Sequence, residues 1–310
     1  MTLVARFELP VRGPFSLEPV RQLQCGFLRG SRTCTPGGDA VRMAFPRDGS
    51  FDVVGVTVRH AGERVEGEVV GASDGAAVGR QIARVLALDH DATEFARVLE
   101  REPALHEASR ARPGFRPVVS YSPYVMGGWS VLSQRIRMAQ AAAVQVRIAE
   151  AAGDVVEVDG DVIASFPRPQ SLLARPSFAG VPEEKWTRLQ AVARAALDGE
   201  LEVSALTARP YADARDRLMR VRGVGSWTAD AILMRGCGPA DTLPLSEPSL
   251  HTAVRDAYRL RELPDDATVE GIAEAWRPFR MWVSVLLISQ ALRGSGDRRP
   301  TRPLRRGMPR

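Results

Sequence analysis

The sequence has 310 residues, enough to bury the hydrophobic core of one large domain or two. It has no secretory signal and no apolar run near the roughly 18 residues of a membrane span, which excludes an integral membrane protein and predicts a cytoplasmic one. The net charge of +5 comes entirely from residues 297–310, which hold six arginines and one aspartate. The remaining residues sum to zero, so any surface that binds a polyanion in the folded body must be local.

Residues 1–112 are predicted to form an α+β domain. Alternation of apolar and polar residues predicts strands at 3–9, 42–46, 51–60 and 64–70. Helical spacing predicts helices at 18–29, 76–86 and 92–101. We expect a curved antiparallel sheet with helices on one face, the last helix being the one that can pack against the rest of the chain.

Residues 113–296 are predicted to form an all-helical body, because no strand pattern continues beyond Pro113. Helical candidates lie at 123–149, 183–198, 211–221, 226–235, 248–260, 269–276 and 278–292. Residues 297–310 are rich in Pro, Gly and Arg and are predicted to be a basic disordered tail. The tail either adds nonspecific attraction for phosphates or is simply solvated.

A short glycine-containing segment lies between two of the predicted helices, within residues 211–235. Gly223 and Gly225 allow close approach of another surface and leave backbone N–H groups at the start of the second helix, where the helix dipole favours an anion. This pattern predicts a helix–hairpin–helix, which holds one DNA phosphate without reading sequence. The predicted phosphate-binding residues are Gly223, Val224, Gly225, Ser226 and Thr228.

Four segments in this order resemble the AlkA-type 3-methyladenine DNA glycosylase II group of the helix–hairpin–helix DNA glycosylase superfamily. They are Gly-Phe-Leu at 26–28, Ser-Gln-Arg at 133–135, Gly-Val-Gly-Ser-Trp-Thr-Ala at 223–229, and Leu-Pro-Leu-Ser-Glu-Pro-Ser-Leu at 243–250. The resemblance implies a monomeric, monofunctional glycosylase that flips alkylated purines out of double-stranded DNA. It implies no required cofactor, but a structural monovalent cation at the backbone carbonyls of Met219, Val221 and Val224.

Glu247 falls where the resembling family has its catalytic aspartate. Cleaving an N-glycosidic bond builds positive charge on the sugar, which a preorganised carboxylate stabilises. Glutamate keeps the charge but is one methylene longer, and a displacement of about 1 Å can cost on the order of 100-fold in rate. The alternative is a structural carboxylate, because Pro248 places Glu247 at a helix N-cap.

Trp227 and Phe27 are the predicted residues of the base pocket. Trp227 replaces the nucleophilic lysine of bifunctional relatives, and the only lysine of the chain, Lys185, is predicted to lie in a distant loop. Strand cleavage through a Schiff base is therefore not expected. The indole can stack on a cationic base, or it can belong to the core. Phe27 is chosen for its Gly-Phe-Leu context, whereas the other aromatic candidates are expected to be core: Tyr121, Trp129, Trp276 and Trp282.

Gln134 and Arg135 fall where the family inserts a wedge into the gap left by the extruded base. Arg135 can instead be a surface arginine or contact a phosphate. Asp230 is interpreted as a solvated or capping group, Asp241 as a further acidic candidate, and His251 as a surface residue or a support for Glu247.

The three cysteines, Cys25, Cys34 and Cys237, lie too far apart for a local metal site. No cysteine follows Cys237, which excludes the four-cysteine iron–sulfur cluster of endonuclease III relatives. Two other functions stay open. One is a DNA-binding relative that has lost turnover with its aspartate, and the other is a glycosylase for an oxidised or deaminated base.

Overall fold

The computed structural model describes residues 4–21 and 40–296. Near the N-terminus, four strands form an antiparallel sheet in the order β1-β4-β3-β2. The predicted antiparallel sheet is therefore confirmed. The strands are β1 (Val4–Pro10), β2 (Ala40–Pro46), β3 (Val53–Ala61) and β4 (Arg64–Val70).

Helices follow the sheet along most of the remaining chain. Ser122 begins one of them, because its side chain accepts a hydrogen bond from the Val125 backbone N–H and Pro123 occupies the first helical position. The helices are α1 (Gly75–Val85), α2 (Ala92–Arg101), α3 (His106–Arg110), α4 (Pro123–Ser133), α5 (Met138–Ala152), α6 (Pro169–Leu173), α7 (Glu183–Leu197), α8 (Val203–Thr207), α9 (Tyr211–Leu218), α10 (Ser226–Ala231), α11 (Pro248–Tyr258), α12 (Asp266–Ala273) and α13 (Arg280–Gly296).

One predicted helix, at 123–149, is wrong in its length. The structure divides it into α4 and α5, separated by a turn at 134–137. Arg135 lies in that turn with a φ of 58°. A residue with left-handed backbone geometry cannot continue a right-handed helix, so α4 ends before it.

The all-helical description of residues 113–296 is also wrong. Two short strands, β5 (Val155–Val158) and β6 (Asp161–Ala164), pair as an antiparallel hairpin. Asp159 and Gly160 form its turn with φ values of 49° and 82°. Asp-Gly between alternating apolar residues is a strong hairpin signal, and this pair of strands was missed because each is only four residues long.

The β5–β6 hairpin packs against the four-stranded sheet. Gly55 of β3 faces it so closely that a Cβ there would lie 2.3 Å from Cγ2 of Val158. The Thr57 hydroxyl donates a hydrogen bond of 2.9 Å to the Asp159 carboxylate. Alternate residues of β3, Val54, Val56 and Val58, point into a core shared with α1. Both faces of β3 are therefore covered.

Helix α2 packs against the C-terminal helix α13. Phe95 of α2 contacts Trp282 of α13 edge to face, with ring centroids 5.0 Å apart. Trp276 and Trp282 are buried in this cluster, as the sequence predicted. Among the residues described, no helix is long and apolar enough to span a bilayer.

Candidate DNA interface and active site

The predicted hairpin joins α9 to α10. Gly223 has a φ of +92°, and a Cβ there would lie 2.7 Å from Cβ of Arg188, so both backbone geometry and space require glycine. Gly225 has a φ of −90°, and a Cβ there would meet nothing within 4 Å. The fold itself does not require glycine at 225, and this side of the hairpin is open to a ligand.

The predicted phosphate-binding residues differ in what they can offer. The Val224 N–H already donates to the Val221 carbonyl over 3.0 Å, and the Val224 side chain is buried. The Thr228 side chain is buried as well. Gly225 and Ser226 are exposed and stand at the N-terminal end of α10. Backbone N–H groups at 225 and 226 are therefore the better phosphate donors, whereas Val224 is committed within the loop.

A buried carboxylate ties the two helices of the hairpin together. Asp230 accepts hydrogen bonds from the Tyr211 hydroxyl at 2.9 Å and from Nε of Arg215 at 2.8 Å. The other end of the Arg215 guanidinium donates to the Ser226 hydroxyl at 2.6 Å. Burial and the bond to Asp230 raise the pKa of Tyr211. The interpretation of Asp230 as a solvated group is therefore wrong, because it is the internal anchor of the hairpin.

The predicted wedge turn lies directly against this hairpin. The Gln134 side chain donates to the Gly223 carbonyl over 3.4 Å and accepts a hydrogen bond of 3.1 Å from Arg188. Arg135 is exposed beside it. Because the Gln134 amide is used inside the protein, Arg135 is the side chain of the pair that is free to enter DNA.

Glu247 is the N-cap of α11, and its Oε1 accepts a hydrogen bond of 3.3 Å from the Ser249 backbone N–H. The side chain is half-buried and forms no ion pair with the described residues. His251 does not support it, since its Nε2 pairs with Asp266 at 2.8 Å. Asp241 is likewise occupied, by Arg277 and Arg280. Asp230 and Asp241 both form ion pairs with arginines, whereas Glu247 forms none with the described residues.

Trp227 is 51% exposed at the second position of α10. This excludes the alternative that its indole belongs to the core. The exposed ring lies on the same short helix as the open N–H groups of the hairpin. Phe27, the other predicted pocket residue, lies outside the described residues, as do Cys25 and Cys34.

Comparison with known proteins identifies sequence relatives of this chain. No model of a protein family matches the chain. It is 26% identical over 205 residues to a DNA-3-methyladenine glycosylase of Bacillus subtilis, covering 64% of this chain and 67% of that protein. It is also 26% identical over 300 residues to a probable bifunctional transcriptional activator/DNA repair enzyme AlkA of Mycobacterium tuberculosis, covering 89% of this chain and 55% of that protein.

Among solved structures, a 3-methyladenine DNA glycosylase from Archaeoglobus fulgidus has the same fold, with a TM-score of 0.70 at 20% identity over 91% of this chain and 97% of that one. The chain is therefore similar in sequence to DNA glycosylases of the AlkA type and has the fold of one of them. The relatives named glycosylases are hydrolases of N-glycosyl bonds.

Arg235, which no sequence pattern singled out, lies close enough to Glu247 to interact with its charge. Arg235 belongs to a π-helical turn, Ile232–Gly236, that directly follows α10. Its side chain reaches solvent, but the protein around it lowers the pKa of the guanidinium, and attraction to the Glu247 carboxylate acts in the opposite direction. A π-helical turn shifts the register of side chains and is frequent at functional sites. A search for 3.6-residue periodicity could not have placed this arginine.

The predicted position of Lys185 in a distant loop is wrong. Lys185 lies in the first turn of α7, and its Nζ donates to the backbone carbonyls of Leu132 at 2.9 Å and Gln134 at 2.8 Å. The helix predicted at 183–198 in fact includes Lys185, so the two predictions for this residue disagreed. Pro182 marks the boundary at which α7 begins.

The backbone positions predicted to hold a monovalent cation line one depression beside the hairpin: Met219, Val221 and Val224. The Val221 carbonyl accepts the Val224 N–H, whereas the carbonyls of Met219 and Val224 accept no hydrogen bond from the described residues. The arrangement fits a weak oxygen site, and the cation stays a prediction. No cluster of three or more His, Cys, Asp or Glu side chains suited to a metal occurs within 4–21 and 40–296.

Proposed function

We propose that this protein is a monofunctional DNA glycosylase that excises alkylated purines of the 3-methyladenine type from double-stranded DNA. The observation that carries the proposal is the contact between Gln134 and Gly223, which joins a turn suited to fill a base gap with a hairpin suited to hold a phosphate. The similarity to DNA-3-methyladenine glycosylases and the exposed Trp227 support it.

Binding begins at the hairpin. A DNA phosphate accepts hydrogen bonds from the N–H groups of Gly225 and Ser226, where the dipole of α10 adds a favourable field. Three arginines line the depression beside it and supply local positive charge: Arg188, Arg220 and Arg222. These contacts position the duplex and read no base.

Extrusion of the damaged nucleotide follows. It costs a few kcal/mol of stacking and pairing. The Arg135 guanidinium enters the vacated space and stacks there or hydrogen-bonds the unpaired base. The exposed Trp227 indole offers its face to the extruded base, worth about 0.5–2 kcal/mol when that base is cationic.

Hydrolysis then depends on Glu247. As the N-glycosidic bond breaks, its electron pair leaves with the cationic base, which departs neutral, and positive charge develops on the sugar. The Glu247 carboxylate stabilises that charge. Water adds to C1′ and loses a proton, giving the free base and an abasic site. Because an alkylated base needs no general acid to leave, one carboxylate suffices.

Strand cleavage is not part of the proposal. Trp227 has no amine, and the Lys185 ammonium donates to two carbonyls. Borohydride should therefore trap no covalent complex with DNA containing a damaged base. Efficient trapping that persists in Lys185→Ala with a blocked N-terminal amine would contradict the monofunctional assignment.

The decisive experiment measures free-base release from alkylated double-stranded DNA. Wild type is expected to release 3-methyladenine, and Glu247→Gln to be strongly impaired. If wild type binds the DNA but releases no base from any lesion, the protein is a non-catalytic relative.

Arg235 favours a second candidate, a glycosylase for an uncharged damaged base. Such a base leaves as an anion unless it is protonated, and a nearby guanidinium stabilises negative charge on it while repelling a cationic base. A panel of lesions distinguishes the two functions. Faster release of deaminated or oxidised bases than of 3-methyladenine, reversed in Arg235→Gln, would support the second.

A further inference from the structure

The only lysine in the sequence lies at the junction between the turn at 134–137 and the hairpin. Lys185 Nζ donates to the carbonyls of Leu132 and Gln134, two of the last carbonyls of α4 and its cap. These carbonyls lack partners within the helix, and a cation at this end also opposes the negative pole of the helix dipole.

Gln134 is also held through its side chain. Its side chain donates to the Gly223 carbonyl and accepts from Arg188, which is one turn beyond Lys185 on α7. Gly223 in turn packs on the Arg188 stem, as the 2.7 Å approach of a Cβ at 223 shows. The first two turns of α7 therefore contact both the turn at 134–137 and the hairpin.

An ammonium group suits both carbonyls at once. It carries three N–H donors at one point, so it reaches two oxygens without a fixed fork. The side chain is half-buried, and that burial lowers the pKa of the ammonium. A cation is kept in this partly desolvated position, with no carboxylate ion pair in the described structure, which indicates a specific geometric role.

We propose that Lys185 is a positioning residue that fixes the turn at 134–137 against the hairpin between α9 and α10. Arg135 would then meet the base pair next to the bound phosphate. The proposal rests on the proposed function. Without the Lys185 bonds, the end of α4 frays and Arg135 loses its register. DNA binding through the hairpin persists, but extrusion becomes less favourable.

The test compares Lys185→Met, which keeps the length but removes the donors, with Lys185→Arg, which keeps a cation. Arg194→Met is the matched control, because it removes an exposed cation from the same helix. Single-turnover base release is measured on one alkylated base placed either in an ordinary pair or opposite an abasic site. Extrusion costs least when the base is unpaired.

For the paired lesion, we expect Lys185→Met to be slowed by up to about 100-fold, the cost of misplacement by about 1 Å. Opposite an abasic site the defect should shrink to about threefold, because little pairing remains to be broken. Lys185→Arg should recover part of the loss, and Arg194→Met should behave as wild type. A general loss of folded protein would slow both substrates equally, and denaturant unfolding measures it separately.

Equal rates for Lys185→Met and wild type on the paired lesion would overturn the proposal, as would an equal defect on both substrates. Fluorescence of 2-aminopurine beside the lesion reports extrusion without turnover, and Lys185→Met should lower the signal of bound DNA. If wild type releases no base, the proposed function fails, while this fluorescence still decides the role of Lys185.

Discussion

The surface formed by the hairpin and the turn at 134–137 differs from the surroundings of Glu247 in how fully its polar groups are paired. Asp230, Arg215, Gln134 and Lys185 all bond within the protein. Glu247 has one long bond to a backbone N–H. This difference fits the proposed function, in which the hairpin and the turn hold DNA in a fixed geometry and Glu247 keeps a negative charge available to a developing cation.

The largest effect on the rate of base release is expected at Glu247, where hydrogen bonds are few. Glu247→Gln keeps the shape and removes the anion, which should slow base release by about 100- to 1000-fold. DNA affinity should stay level or rise slightly. Single-turnover release and equilibrium binding to the same alkylated duplex measure the two quantities.

Glu262→Gln is the control, since it removes the same charge from an exposed position. Glu247→Asp restores the residue of the resembling family and distinguishes a pocket adapted to glutamate, which would lose activity, from one that accepts either side chain. Base release by Glu247→Gln at the wild-type rate would remove Glu247 from the mechanism.

A smaller loss, of stability and not of rate, is expected when Asp230 in the bonded hairpin is changed. Asp230→Asn removes the buried charge that holds Arg215 and Tyr211, which should lower the free energy of unfolding by about 2 kcal/mol. Because Arg215 then loses its orientation toward Ser226, affinity for undamaged DNA should fall as well. Urea unfolding monitors the first effect.

Asp216→Asn provides the comparison, because Asp216 is an exposed aspartate of the same hairpin. Unchanged stability of Asp230→Asn would show that the buried network does not hold the two helices together.

The open side of the hairpin is tested by Gly225→Ala. A methyl group there meets nothing in the free protein, so stability should be retained. Against a phosphate it should weaken damaged and undamaged DNA equally, by about tenfold, the loss of roughly one hydrogen bond to a charged group.

Gly271→Ala adds a methyl group at another open position and should bind DNA normally. Gly223→Ala is the less informative variant, because it also strains the backbone. Normal affinity of Gly225→Ala for undamaged DNA would mean that the phosphate lies elsewhere.

The smallest effect is expected from Glu184, whose carboxylate pairs with Arg188 at 3.0 Å and Arg222 at 2.8 Å beside the hairpin. Exposed pairs of this kind are weak. Glu184→Gln should free Arg222, and the Arg188 nitrogen that does not bond to Gln134, for phosphate. DNA affinity should rise by about threefold, with a steeper dependence on salt. Glu183→Gln is the matched control, and an equal gain in both variants would indicate net charge alone.

Local patterns predicted much of this molecule. The strands of the N-terminal sheet, α2 and the hairpin follow from alternation, helical spacing and glycine. Glu247 was selected by its place in a motif and stays a prediction, and the structure adds that it forms no ion pair with the described residues. What local patterns could not show was long-range pairing. Lys185 meets Gln134 from 51 residues away. Asp230 bonds to Arg215 and Tyr211, which lie 15 and 19 residues earlier in the chain. Arg235 depends on a π-helical turn, which has no sequence period of its own.

Gly55 has a consequence for how the chain can vary. The hollow that it leaves in β3 is filled by Val158, more than 100 residues later in the sequence. A larger residue at 55 would need a smaller one at 158, so the two positions should change together among relatives. Exchange of the N-terminal sheet between such proteins should succeed only when the small β5–β6 hairpin is transferred with it. The β5–β6 hairpin should therefore vary together with the N-terminal sheet, although it lies between helices in the sequence.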